Sequence, residues 1–356
     1  MKKKVAIIGT VGVPANYGGF ETLVENMIGK NASETIEYTI FCSGKSYKER
    51  LVSYKGAHLD YINLKANGVQ STLYDIFSMI KTSNQFDVAL ILGVSGCIFL
   101  PVFRKYYKNR LIINIDGLEH KRDKWGRLAK WFLRKSEAMA VKYADVIVAD
   151  NKGIQDYVAE TYHKESALIA YGGDHVERQV SEDIQEKVLK EYGVEDNGYA
   201  ISVCRIEPEN NCHIILDAFS KTDKKLIYIG NWERSEYGKN LKEKYSKFPN
   251  INIHTPVYNL DILYALRSHA AMYIHGHSAG GTNPSLVEAM FFGKPILAFD
   301  VIYNRATTAN KAYYFKSTDS LVSLLEQDTF DGTAMKEIAH IQYMWKKIAS
   351  QYEELY

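Results

Sequence analysis

Short runs of β-branched and apolar residues recur along the whole chain, and each is followed by a segment with helical spacing. VAIIG (5–9), YTIFC (38–42), VALIL (88–92), LIINI (111–115), VIVA (146–149) and ALIA (167–170) form a first series, with helical patterns at 20–30 and 127–144 between them. A strand with one wet face alternates polar and apolar residues. These runs do not alternate, so they predict strands buried on both faces, as in a parallel sheet covered by helices. The scheme then restarts with YAISVC (199–204), KLIYIG (225–230), INIHT (251–255), AMYIH (271–275) and PILAF (295–299), among helices expected at 211–220, 259–268 and 284–292. The pattern predicts two α/β domains, 1–172 and 173–334, joined near YGGDHVERQ, where a glycine pair meets a polar stretch. A final helix, 335–356, has no strand after it. A length of 356 residues agrees, because it exceeds what one core usually organises.

Several classes are excluded. The most apolar uncharged run, 88–103, is sixteen residues broken by Gly93, Ser95, Gly96 and Pro101, too short and too interrupted for a membrane span. It predicts a buried strand, a glycine-rich turn and a short helix. The start, MKKKVAIIGT, enters a strand directly and has no signal-peptide pattern. Cys42, Cys97, Cys204 and Cys212 are scattered, which points to free thiols in a reducing cytosol. Residues 1–170 carry 24 Lys and Arg against 17 Asp and Glu, whereas 171–356 carry 20 against 25. The first half is therefore the one expected to meet an anionic surface.

In open α/β sheets ligands bind at the carboxyl ends of the strands, and the chemistry-bearing residues gather at those ends. After the first strand come Gly9, Gly12, Gly18 and Gly19, in a spacing that is not the dinucleotide fingerprint. The second strand ends in Cys42 and Ser43, with no acid for a ribose. Gly18 and Gly19, just before a helix, let backbone amides approach a phosphate. Asp116, Glu119 and His120 follow the strand at 111–115 and could orient sugar hydroxyls or an acceptor, or serve as caps. From Lys121 to Lys135 seven basic residues and one acid are interleaved with Trp125, Leu128, Trp131, Phe132 and Leu133. A basic amphipathic helix of that kind suits an anionic membrane interface, and the near-neutral chain disfavours nucleic acid.

In the second half, Arg205 follows a strand end and is suited to a phosphate by its bidentate geometry. Gly280, Gly281, Thr282, Asn283 and Ser285 precede or open the helix at 284–292, a place for a pyrophosphate. Glu288 lies further along that helix and is expected to accept from ribose hydroxyls. His275 and His277 read as packing or polar lining. With no D-x-D motif, a metal-held nucleotide sugar is not expected.

At PANYGGFETLVENM, DGLEHKRDKWG, RIEPENN and HGHSAGGTNPSLVEAM the chain resembles the GT-B glycosyltransferases of family 4, and more narrowly a bacterial rhamnosyltransferase-like branch of capsule, exopolysaccharide and cell-wall polysaccharide assembly. The resemblance covers nearly the whole length. It implies two Rossmann-like parallel-sheet domains facing across a cleft, with the terminal helix returning to the first. It places Gly18 and Gly19 at the donor phosphates and acceptor, Arg205 on the diphosphate, and Glu288 on the nucleotide ribose as the second acid of E-x7-E. Two positions depart: the first acid of that motif is replaced by Gly280, and the basic residue five after the arginine is Asn210.

The expected activity is a metal-independent, retaining transfer from a nucleoside-diphosphate sugar, dTDP-L-rhamnose, to a lipid-linked saccharide at the cytoplasmic membrane face, with no separate cofactor. No carboxylate stands out as a covalent nucleophile, so front-face substitution is expected, with Asp116, Glu119 or His120 assisting the acceptor. The rivals are a GT-B-fold sugar-nucleotide epimerase, which needs no lipid-linked acceptor, and a non-catalytic glycosyltransferase-like partner subunit, suggested by the missing acid at 280.

Overall fold

The computed structural model describes residues 2–15, 18–29, 32–121 and 125–356. Asn16 and Tyr17 of the first loop, Lys30 at the end of the expected 20–30 helix, and Arg122, Asp123 and Lys124 of the basic segment lie outside the described residues. The chain divides into two compact units, 1–171 with 345–356, and 172–344.

Unit 1 begins with β1 (Lys3–Ile8), α1 (Gly19–Met27), β2 (Ile36–Ser43), β3 (Ser53–Tyr54) and β4 (Ala57–Ile62). It continues through α2 (Ser71–Lys81), β5 (Val88–Leu92), α3 (Leu100–Tyr106) and β6 (Arg110–Asn114). Then come α4 (Arg127–Tyr143), β7 (Val146–Ala149), α5 (Lys152–Tyr162) and β8 (Ala167–Leu168). The sheet order is β3-β4-β2-β1-β5-β6-β7-β8, parallel except for the β3–β4 pair. The central strands are the continuous runs of the sequence, and all five residues of β5 are buried. β4 was not marked by such a run: AHLDYI has two partly wet positions and an exposed His58, so its apolar signal is diluted.

Unit 2 holds α6 (Glu182–Tyr192), β9 (Tyr199–Val203), α7 (Cys212–Phe219), β10 (Lys225–Ile229), α8 (Glu236–Tyr245) and β11 (Ile251–His254). After these come α9 (Leu260–Ser268), β12 (Met272–His275), α10 (Pro284–Met290), β13 (Ile296–Phe299) and α11 (Ile302–Thr307). β14 (Tyr313–Phe315), α12 (Thr318–Leu325) and α13 (Thr333–Gln342) complete it. Its sheet is fully parallel, in the order β11-β10-β9-β12-β13-β14.

Both sheets are doubly wound. Strand order reverses between β1 and β5 in unit 1 and between β9 and β12 in unit 2, and a crevice opens beyond the carboxyl ends at such points.

The single helix expected at 335–356 is two. α13 stops at Gln342 and α14 (Trp345–Glu354) starts anew. The break is fixed at Tyr343, whose backbone leaves helical geometry, whose carbonyl accepts from Gly173 N (2.8 Å) and whose buried hydroxyl donates to Thr307 O (2.8 Å). Only 345–356 belongs to unit 1. There Trp345, Ile348, Tyr352 and Tyr356 join the core built by Leu23, Val24 and Met27 of α1 and by Tyr38. Burying side chains of that size stabilises by about 1.5–3 kcal/mol each.

Candidate functional site

Unit 1 presents its polar residues in the loops after β1 and β6. Glu21, in the first turn of α1, turns back into the β1–α1 loop. Its buried carboxylate accepts from Val11 N (2.7 Å) and Thr10 Oγ1 (3.1 Å), and burial, opposed by these bonds, raises its pKa. This carboxylate also explains Gly18, whose φ is 136° and where a Cβ would overlap the Glu21 carboxyl group. The sequence offered a ligand phosphate as the reason for that glycine; packing supplies a sufficient local one. Gly19 is the first residue of α1.

The loop after β6 is set by the C-terminal helix. Asn114, buried at the strand end, donates to Tyr352 Oη of α14 (2.7 Å) and accepts from Asp116 N (2.9 Å). Asp116 consequently turns at φ 60°, a conformation that a short polar side chain tolerates. Its charge is felt by Glu21, so the loops after β1 and β6 share one corner. Glu119 accepts from Trp125 Nε1 (3.1 Å).

His120 meets a buried carboxylate that the sequence did not single out. Glu137, on α4, accepts from His120 Nδ1 (3.0 Å), Tyr157 Oη (2.8 Å) and Tyr162 Oη (2.7 Å), while Lys121 Nζ lies 5.0 Å over the Tyr157 ring. Burial alone would raise the Glu137 pKa; His120 and the two phenols outweigh it and lower it. An ionised carboxylate only accepts, so Nδ1 carries the proton and Nε2 is the nitrogen left for other partners. Glu137 sits beside Ser136 on the same buried stripe of α4 as Ala140 and Val141, and a lone acid in such a stripe is the signal that could have revealed it.

The basic segment differs from the expectation. Residues 121–135 are not one helix, because α4 begins at Arg127 after Gly126 as its N-cap. Trp125 precedes the helix and is tied to Glu119, while Phe132 and Leu133 are half-buried. Leu128 and Trp131 are the apolar side chains of this segment that face solvent, 86% and 61% exposed.

In unit 2 the loops after β9 and β12 are joined. Asn210 donates to Arg205 O (2.7 Å) and its Oδ1 lies 2.7 Å from His277 Nδ1. Ser278 donates through its amide (2.8 Å) and hydroxyl (2.9 Å) to Glu209 O, and Asn211 donates to Gly276 O (2.8 Å). Asn210, which occupies the slot of a basic residue in the family pattern, here braces the loop that carries Arg205. Arg205 is part-exposed, and its side chain makes a long contact, 3.9 Å, with Glu207.

α10 is shorter than expected, Pro284–Met290, because the chain tightens into i→i−3 bonds at Phe291, Phe292 and Gly293 and turns off at Gly293, φ 63°. Asn283 caps it, accepting from Ser285 N (3.0 Å) and Ser285 Oγ (2.8 Å), and the amides of Leu286 and Val287 return to Asn283 O. The sequence placed free amides from Gly280 to Ser285; the Ser285 amide is consumed by the cap. Thr282 is buried and Gly280 turns at φ 93°.

Glu288 projects from α10 into an ion pair. Its Oε2 lies 2.7 Å from Arg267 Nη2, which is almost fully buried on α9, and its Oε1 lies 3.3 Å from His175 Nε2. Burial would raise the Glu288 pKa, but Arg267 and His175 hold it down at about 2. Two of the roughly four acceptor sites of a carboxylate are thus taken, leaving the others for hydroxyl donors. Arg267 and His175 escaped the sequence reading, although a charge beside Ala265 and Leu266 on the buried face of α9 was a signal. Tyr273 links the two parts of the site: its hydroxyl donates to Val203 O (3.1 Å), just before Arg205, and lies beside Ser285 and Glu288. His275 is fully buried, and burial pushes its pKa down to about 3, so it packs as a neutral ring.

Among the described residues no group of three His, Cys, Asp or Glu side chains is arranged to hold a metal ion, and no helix is long and apolar enough to cross a membrane.

Residues 2–174 match a family described as a domain of unknown function (DUF1972), and residues 183–326 match the family Glycosyl transferases group 1. No curated protein matches the chain in sequence. Among solved structures, sucrose-phosphate synthase from Thermosynechococcus elongatus superposes with a TM-score of 0.80 at 13% identity, covering 100% of this chain and 98% of that one. HepE of Anabaena, in complex with UDP-glucose, gives 0.76 at 14% identity over 99% and 98%. A glycosyltransferase from Rickettsia africae gives 0.69 at 13% identity over 99% and 97%. Two parallel α/β domains of this kind are the GT-B fold.

Proposed function

We propose that this chain, a glycosyltransferase of GT-B type, moves L-rhamnose from dTDP-L-rhamnose onto a lipid-linked glycan, with retention and without a metal ion, in the assembly of a bacterial capsule, exopolysaccharide or cell-wall polysaccharide. The observation that carries the reading is the joining of the β9 and β12 loops by Asn210 and His277, at the switch point of the sheet that matches the glycosyl transferases group 1 family. That juxtaposition gives Arg205 and the Gly280–Asn283 backbone one shared place for a diphosphate. A UDP-sugar bound to HepE supports a nucleotide-sugar donor for this fold.

In this reading Arg205 takes the charge of the diphosphate, and the Gly280–Asn283 turn lets it approach. Glu288, ionised at neutral pH, accepts from the ribose hydroxyls. The acceptor hydroxyl attacks the anomeric carbon from the face the diphosphate leaves. The bond from that carbon to the diphosphate oxygen breaks, and the hydroxyl proton passes to that oxygen. Gly18 and Gly19 line the acceptor approach, and His120 Nε2, aimed by Glu137, hydrogen-bonds the sugar or acceptor, with Asp116 and Glu119 beside it. The basic α4 region holds the enzyme peripherally on the cytoplasmic membrane face, where lipid-linked acceptors reside.

The test is incubation with dTDP-L-rhamnose and a polyprenyl-linked saccharide, with NMR assignment of the new linkage. A product of the donor's anomeric configuration is expected. An inverted product would overturn retention and make His120 the general base, while an epimerised nucleotide sugar without transfer would overturn the transferase reading.

A further inference from the structure

The outer surface of unit 1 carries an apolar face that the reaction does not use. The crossovers from β4 to β5, β5 to β6 and β6 to β7 all run the same way across the sheet, so by right-handedness α2, α3 and α4 cover one side of it; α1, crossing the other way, covers the opposite side. The three helices are neighbours: Tyr106 Oη of α3 donates to Met79 O of α2 (3.5 Å), and Arg104 Nε of α3 donates to Tyr143 O of α4 (3.2 Å). On their outward faces α2 exposes Leu73, Phe77 and Ile80 at helical spacing, each about half exposed, and α3 exposes Val102 and Tyr106. α4 exposes Leu128 and Trp131 near its start. Apolar side chains grouped in this way mark an interaction surface, unlike the scattered ones found on any protein.

Charge identifies the occupant. The three helices contain two acids, Asp75 and Glu137, and both are buried. Their exposed charges are basic: Lys81, Lys105, Arg127, Arg134 and Lys135 among them. A twofold contact with a second copy would set these cations against their own equivalents, which disfavours self-association. Two part-exposed acids from neighbouring segments, Asp60 and Asp145, are paired with Lys81 and Arg104, so the rim keeps an excess of cations. An apolar face with a mainly basic rim matches an anionic bilayer, whose headgroups meet the cations and whose acyl boundary takes the apolar side chains.

We propose that the outer face of α2, α3 and the start of α4 is a docking surface for an anionic lipid bilayer, with Leu73, Phe77, Val102 and Trp131 entering the acyl boundary. The inference deepens, and rests on, the membrane location in the proposed function, and adds two helices that the basic segment alone does not include.

The experiment is co-sedimentation with phosphatidylcholine vesicles, with and without phosphatidylglycerol, at low and high salt. One variant carries Leu73→Gln, Phe77→Gln and Val102→Gln; the other carries Arg127→Gln, Arg134→Gln and Lys135→Gln. All six side chains are solvent-facing, so both variants are expected to melt as the wild type does. The apolar variant is expected to lose roughly tenfold or more in partitioning at either salt. The basic variant should lose its binding advantage for phosphatidylglycerol, mainly at low salt. Wild-type partitioning by the apolar variant would overturn the role of α2 and α3 while leaving the basic segment in place. Absence of wild-type binding to either vesicle would overturn the surface altogether. A wild-type dimer in gel filtration that the apolar variant converts to monomer would assign the face to a second copy instead. Sugar transfer to a soluble acceptor without vesicles separates the two readings, because docking can hold where transfer fails and the reverse.

Discussion

Asp75 in unit 1, buried, and Glu288 in unit 2, half-buried, are both acids near a strand-end loop, and they are held in opposite protonation preferences. Asp75 meets the Ser95 hydroxyl and the Gly96 amide; burial outweighs both bonds and its pKa climbs to about 7. Glu288 suffers burial too, yet Arg267 and His175 bring it to about 2. Glu137 lies between, lowered by His120 and two phenols without a guanidinium. Two neutral donors do not keep Asp75 charged, whereas three donors at Glu137 and the facing cation at Glu288 outweigh burial. The acid in the proposed donor site is thus held ionised at neutral pH.

Removing the cation should break the contrast most severely. Arg267→Ala leaves Glu288 without its main partner and is expected to cost about 3–5 kcal/mol in a urea titration. Pairing Arg267→Met with Glu288→Leu should restore most of that stability while nucleotide affinity stays lost. A cost below about 1 kcal/mol for the single change would mean that the ion pair does not hold Glu288 in place.

Glu137→Gln keeps the size and the two phenol partners but removes the acceptor that fixes His120. A fall in kcat of up to about 10²-fold with little change in KM is expected, against a stability loss of only about 1–3 kcal/mol. Equal loss in His120→Ala and in the double variant would show that Glu137 acts through His120. Full activity in Glu137→Gln would remove it from any positioning role.

The pH dependence of stability should divide along the same line. Glu288 titrates at 4.5 when unfolded and at about 2 when folded, so its contribution is complete above 4.5 and is lost as pH falls toward 2. Asp75 titrates at 3.8 unfolded and about 7 folded, so its contribution is present at low pH and lost as pH rises from 3.8 through 7. Glu288→Gln should therefore flatten the acid limb of a melting-temperature profile, and Asp75→Asn the neutral-to-alkaline limb. A profile in which either substitution alters the other limb would contradict these assignments. The smallest effect is expected from chelation: EDTA should leave turnover unchanged, and an enzyme revived only by Mg²⁺ or Mn²⁺ would contradict metal-independent binding of the diphosphate.

The fold was legible where strands are buried on both faces, because VALIL, LIINI and YAISVC leave no alternative period. It was less legible at β4, where His58 interrupts the run, and at Tyr343, whose ties to Gly173 and Thr307 split one helical pattern into two. Arg205, Asn210 and the Gly280–Glu288 stretch could be found because each follows a strand end. Their partners could not: Arg267 and His175 reach Glu288 from α9 and from the loop after unit 1, and Tyr157 and Tyr162 reach Glu137 from the next helix. Such pairings depend on tertiary packing, and local spacing does not encode them. α2 was not marked in the sequence, and only the sheet decides which way the apolar side chains of α2 and α3 turn.

Isothermal titration of dTDP, UDP, dTDP-L-rhamnose and UDP-glucose into wild type, Arg205→Ala and Glu288→Ala, with EDTA present throughout, tests the donor site most directly. Saturable wild-type binding of at least one nucleotide sugar is expected, weakened by about 1–3 kcal/mol in each variant whose thermal transition persists. Binding that is absent from the wild type, or unchanged in both variants, would contradict the placement of the donor at the β9 and β12 loops.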